Sequence, residues 1–210
     1  MTIDHPVFLE SLRYIQERLN CPDMDSLEVA VLERLIHTSG DFSIQNNLRF
    51  SANACQIGID ALKAGAPILT DTFMAAAAVT PMSSRTLNAE VHCVLDWAPS
   101  KDYSGLTRAL LGLEKAWRDL SSKYSDKNSP VVLFGSAPKA LLNFLDLISQ
   151  GAKAPSLIVG MPVGFISVIE SKTLLSSMEV PQIRLDGNRG GASMAAATVN
   201  ALLRASIHCS

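Results

Sequence analysis

The feature that most restricts how this chain folds is a set of short strand-like runs that are apolar throughout, not at every second residue. Val131-Val132-Leu133-Phe134 and Leu157-Ile158-Val159 are the clearest, and residues 182–185 follow them. Strands of this kind are buried on both faces, which is a property of parallel sheets covered by helices. Helical patterns separate the runs, over 138–149, 167–176 and 193–206. The alternation reaches back along the chain, with helices predicted over 51–64 and 106–120, an apolar run at 67–70 and a strand at 91–95. Alternation of β and α segments predicts an α/β domain with a doubly wound, mainly parallel sheet between two layers of helices.

Two helices precede this pattern. In the first, Val7, Leu12, Ile15 and Leu19 recur at helical spacing and Pro6 suits a first turn. Cys21-Pro22 interrupts it. The second begins near Asp25, with Glu28 three residues on as in a capping box, and Gly40 ends it. Val31, Leu32, Leu35 and Ile36 form its apolar face. Residues 75–78 are read as core-helix packing and 121–129 as a polar connection. No internal repeat or linker divides the chain, so residues 1–210 are expected to form a single domain.

Composition narrows the class. Charged residues make up 18% of 210 and apolar residues 48%, which argues against disorder and supplies a core. A net charge of −2 disfavours a broad nucleic-acid or anionic-membrane surface. The longest charge-free stretch, 155–169, contains Gly160, Pro162 and Gly164 and falls short of the roughly 18 apolar residues of a membrane span. Cys21, Cys55, Cys93 and Cys209 are scattered, and the first residues lack a signal-peptide pattern. The expectation is a cytoplasmic protein with reduced thiols, bound to neither nucleic acid nor membrane.

Glycine clusters follow the last three strands: Gly135-Ser136-Ala137-Pro138, Gly160-Met161-Pro162-Val163-Gly164 and Gly187-Asn188-Arg189-Gly190-Gly191. In a doubly wound sheet this edge faces the ligand, and amides at helix starts favour anions. Either the turns hold a polyanionic ligand or glycine is there because tight βα turns require it. Neither a dinucleotide fingerprint nor a phosphate loop is present. After Thr70 comes Asp71-Thr72-Phe73-Met74, an acid where a phosphate loop would need glycine.

His5, His37, His92 and His208 show no metal-ligand spacing, so no metal site is expected. His92 lies in an apolar strand and reads as a core histidine, and His208 lies in the tail. His37 falls off the apolar stripe of its helix, beside Arg34 one turn earlier. It is either a proton-handling group with a neighbouring cation to hold a carboxylate, or a solvated residue at a helix end. Glu170 and Arg108 stand at helix starts, where a solvated surface role is the alternative.

In these residues the chain resembles the precorrin-8X methylmutase family of cobalamin biosynthesis. The resemblance runs nearly end to end. It takes in His5-Pro6 with Glu10-Ser11, Arg34-Leu35-Ile36-His37, Ala64-Gly65-Ala66-Pro67-Ile68-Leu69-Thr70-Asp71, and Thr107-Arg108. It continues through Gly160-Met161-Pro162-Val163-Gly164-Phe165 with Glu170-Ser171-Lys172, and closes on Gly190-Gly191 and the alanine-rich helix after it. The resemblance implies a flavodoxin-like three-layer fold and an isomerase that moves a methyl group from C11 to C12 of precorrin-8X, or of its cobalt form, giving hydrogenobyrinate or cobyrinate. It implies no organic cofactor, a homodimer with the pocket near the interface, and handover of product to the next enzyme. His37 falls on the family's proton-handling histidine, pictured as protonated, and Ser11, Arg34 and Arg108 on substrate contacts. Gly164, Glu170, Lys172, Arg189, Gly190 and Gly191 complete the expected substrate-binding set. The chain departs from the family at Lys139, where threonine is usual, and at Asn188, where arginine is usual and Arg189 stands one residue later. A non-catalytic tetrapyrrole carrier would keep the turns and arginines without needing His37, whereas a nucleotide binder would need the missing phosphate loop.

Overall fold

The computed structural model describes residues 5–101 and 105–207; His208 and Cys209 lie outside them. The described residues form a six-stranded sheet in the order β1-β6-β5-β4-β2-β3. The strands are β1 (Leu48–Phe50), β2 (Ile68–Thr70), β3 (Val91–Cys93), β4 (Val131–Phe134), β5 (Leu157–Gly160) and β6 (Gln182–Leu185). All neighbours pair in parallel except β1, which runs antiparallel to β6 with Leu48 opposite Leu185. The helices are α1 (Pro6–Gln16), α2 (Ser26–Ser39), α3 (Ala54–Lys63), α4 (Phe73–Arg85), α5 (Arg108–Ser121), α6 (Pro138–Ser149), α7 (Val168–Ser176) and α8 (Ala192–Ala205).

Alternate residues of the same strands enter two cores. Val131, Leu133, Val159 and Ile183 pack with α2, α3 and α8, whereas Val132, Phe134 and Ile158 pack with α5 and α6. That two-sided burial is why these strands carry no polar alternation. On the second face Phe144 meets the rings of Trp117 and Phe134 at 4.8 and 5.6 Å. On the first, α8 is buried nearly all round, because α2 and α4 both pack on it above the sheet.

Local chemistry sets the helix ends. Asp25 accepts the amides of Leu27 and Glu28 while Glu28 reaches back to the Asp25 amide, and Gly40 closes α2 at φ 68°. At α1, Pro6 occupies the first turn and the His5 ring accepts the Val7 amide.

The structure corrects several sequence expectations. Strand β1 had no sequence signal. The strand expected over 91–95 stops at Cys93 and turns into a 3-10 turn, Val94–Trp97. His92 is not a core residue: it sits on the edge strand β3, half-buried, with Nε2 3.1 Å from Glu90 Oε2. Of the alanine run in α4, Ala75 is buried, but Ala77 and Ala78 are exposed. In α1 only Ile15 is buried, and Val7 is 65% exposed.

Candidate active site

His37 stands in the last turn of α2, on the carboxyl-edge side of the sheet, because the short segment after α2 leads straight into β1 beside the end of β6. Helix α1 packs on α2 and brings Ser11 to it: Ser11 Oγ and His37 Nδ1 share a hydrogen bond of 2.8 Å. Phe8, one turn before Ser11, meets the imidazole edge-on at 4.9 Å. The same phenyl ring lies 5.1 Å from the Arg34 guanidinium carbon and 4.5 Å from that of Arg204 in α8. Phe8, Leu12, Arg34 and Arg204 line a cavity of about 300 Å³ between α1, α2 and α8. Partial burial lowers the His37 pKa below the ordinary histidine value, and the positive charge of Arg34 lowers it further. The free imidazole is therefore biased toward its neutral form; the protonated state expected from the resemblance belongs to the histidine bonded to the substrate ring.

Around the βα turns the glycines serve loop docking. The Gly164 amide donates to Asn188 O at 3.1 Å and the Gly191 amide to Met161 O at 2.8 Å. A Cβ on Gly190 would stand 2.0 Å from Met161 O, so no other residue fits that close approach. Gly164 and Gly191, expected at the substrate, thus give their amides to the chain itself. The Gly135 turn is likewise occupied. Asp71 Oδ2 accepts the amides of Gly135, Ser136 and Ala137 at 2.9, 2.6 and 2.8 Å.

Lys172 is 2% exposed, and its ammonium donates to Gly187 O and Arg189 O, both at 2.7 Å. Burial pushes its pKa down to about 8 against the attraction of Asp186. The lysine expected to touch substrate is buried beneath the β6–α8 loop and holds it in place. From that loop Arg189 reaches Asp41, the Ser43 hydroxyl at 2.8 Å and Asn47 Oδ1 at 3.3 Å, in the segment that follows His37. The hydrogen bonds from Ser43 hold the Asp41 carboxyl below the usual range, with Arg189 adding to them. Arg108 and Glu170 stand exposed at the starts of α5 and α7 on the other face of the sheet from α2.

The structure brings Ser11, Arg34 and His37 together and docks Arg189 beside their helix. It leaves Arg108 and Glu170 in a different layer. Phe8, Arg204 and Asp71 are the functional candidates that sequence reasoning passed over. Phe8 adjoins Val7 in the apolar stripe of α1, Arg204 carries no motif of its own, and Asp71 closes the Ala64-to-Asp71 stretch of the resemblance with no role attached to it.

A doubly wound sheet with a serine bonded to a histidine, two arginines near one phenyl ring and exposed apolar side chains along the βα loops defines an α/β protein with a candidate acid–base site beside a small cavity. The precorrin-8X methylmutase family matches residues 6–205, and the chain belongs to that family. It is 33% identical to the cobalt-precorrin-8 methylmutase of Synechocystis sp. over 96% of this chain and 95% of that one. It is 40% identical to the precorrin-8X methylmutase of Pseudomonas aeruginosa over 86% and 83%. A crystal structure of precorrin-8X methylmutase from Thermus thermophilus superposes with a TM-score of 0.85 at 33% identity, covering 97% of this chain and 98% of that one.

Proposed function

We propose that this chain, acting as one folded unit, is the isomerase of cobalamin biosynthesis that moves a methyl group from C11 to C12 of precorrin-8X or its cobalt form. The observation that carries the reading is the 2.8 Å Ser11–His37 hydrogen bond beside Arg34 and Phe8, together with the family membership. Migration within one molecule needs no nucleophile. It needs a ring held in the reactive tautomer and a group that steadies the rearranged π-system.

Ser11 fixes the imidazole through Nδ1, which leaves Nε2 to exchange a proton with the macrocycle. Burial and then the charge of Arg34 disfavour protonation of the free imidazole, and the substrate's carboxylates offset both once bound, so the acid forms where it is used. Arg34 and Arg204 face carboxylates on the α8 side, and Arg108 does so on the other. In one chain these arginines belong to different layers, and the cavities of about 300 and 340 Å³ each hold only part of a macrocycle. A homodimer that sets the carboxyl edge of one copy against the other completes the groove. No helix among the described residues is long and apolar enough to cross a membrane, in keeping with a cytoplasmic enzyme that passes its product to the next one.

The test is turnover of precorrin-8X, followed by absorbance. A positioned acid–base group typically contributes 10²–10⁴-fold, so His37→Ala is expected to lose at least about a hundredfold in kcat while still binding the ring. Activity within about tenfold of wild type would remove His37 from the mechanism. Binding without turnover by the wild type would leave a tetrapyrrole carrier.

A further inference from the structure

The sheet reverses its winding between β2 and β4, which lie side by side while the chain leaves them toward opposite faces. In open α/β sheets the crevice at such a point receives the ligand, and amides at the start of the next helix attract its anionic groups. Here those amides are already bonded. Asp71 leaves the end of β2 with its side chain fully buried, and a single oxygen takes three converging N–H groups from the β4–α6 turn. The turn is pressed against α8 as well: a Cβ on Gly135 would stand 2.6 Å from the Ala192 Cα. Above Asp71 opens the cavity of about 340 Å³, lined by Leu95, Thr107, Ser136, Lys139 and Ile166.

We propose that Asp71 is a positioning residue that occupies the switch-point amides from within and so denies them to the substrate's own carboxylates. A macrocycle fringed with acetates and propionates can dock in several registers. Three free amides on a helix start would capture one carboxylate and hold the ring away from His37. With that nest filled, the carboxylates must go to side-chain cations, which fix one register. This rests on the methylmutase reading only where turnover is measured.

The experiment is a formate titration of full-length wild type, Asp71→Ala and Asp71→Asn, followed by the amide resonances of Gly135, Ser136 and Ala137 and by turnover. In Asp71→Ala, formate should shift all three resonances saturably, and in wild type it should not. Without formate the alanine variant should lose at least about tenfold in kcat with KM lowered in proportion and kcat/KM unchanged, the mark of unproductive binding, and formate should restore both. Recovery of a folded alanine variant only in formate would make Asp71 a structural anion for the turn and overturn its role in substrate register. Asp71→Asn keeps a carbonyl oxygen for the three bonds and should stay folded and indifferent to formate. The proposal falls if the alanine variant ignores formate, if wild type responds alike, if kcat and KM are untouched, or if the asparagine variant unfolds. Absence of turnover by wild type would sink the methylmutase reading and leave the formate result to decide Asp71.

Discussion

At the scale of single residues, Lys172 shows what a buried cation does when two carbonyls surround it. Its pKa of about 8 lies below the ordinary 10.5 because the ammonium has left water. Between those two pH values the unfolded chain holds a proton that the folded chain has released. Unfolding free energy therefore rises with pH across that window on account of this group, and its contribution is lost again as pH falls through 8. Urea unfolding of wild type and Lys172→Met at pH 7.5, 8.5 and 9.5 should show the difference moving in favour of wild type with pH; a flat difference would mean the lysine is solvated. The sequence carried the identity of such residues but not their roles. Ser11 and His37 are 26 positions apart and meet only because α1 folds back on α2. No local pattern encodes that meeting, so the pair was legible through resemblance alone. Lys172 was expected at the substrate for the same reason, and only its two carbonyl partners identify it as a loop support.

At the scale of elements, helix ends and buried strands were the legible part, because their chemistry is local. The Asp25–Glu28 box and the Gly40 stop were read from residue type and spacing, and the structure contains both. Loss of an N-cap side chain costs about 1 kcal/mol, so Asp25→Ala is expected to lower stability by about that amount in chemical denaturation. Because α2 presents His37, its thermal unfolding should come earlier while the Ser11–His37 contact survives below the transition. Strand β1 was illegible for a physical reason. Its three residues Leu48-Arg49-Phe50 are too few for a pattern, and its pairing with β6 comes from the sheet edge, not from propensity. The early end of β3 has a similar cause: Val94 and Leu95 are apolar enough for a strand, yet the 3-10 turn takes them toward α5.

At the scale of the molecule, a group of large apolar side chains left in solvent gathers at the strands' carboxyl edge, apart from Val7 and Tyr14 on α1 and Leu174 late in α7. Phe165 is 87% exposed, Ile166 75% and Met74 71%, with Phe73 and Leu106 about half exposed, and all follow the carboxyl ends of strands. Side chains of that size gathered on one edge mark an interaction surface. Sedimentation of the wild type is expected to give a dimer, and Phe165→Asp with Ile166→Asp a monomer with dispersed amide spectra and poor turnover; a wild-type monomer at assay concentration would refute the paired groove. The three-layer arrangement itself was foreseeable from the β-α alternation, whereas which turns keep free amides was not, since Asp71 settles that from 64 residues away.

The strip between His37 and β1 is fastened at several points: Arg189 grips Asp41 and Ser43, and the Asp186 amide holds Asn47 O at 2.9 Å. Length there is consequently a coordinate of the chemistry. An extra residue between positions 38 and 47 would have nowhere to bulge without dragging the imidazole off its mark, and the connection over 121–129, at the opposite rim, is tied down too, by Lys153 on the Tyr124 carbonyl and Asp126 and by Ser129 on the Ala154 carbonyl.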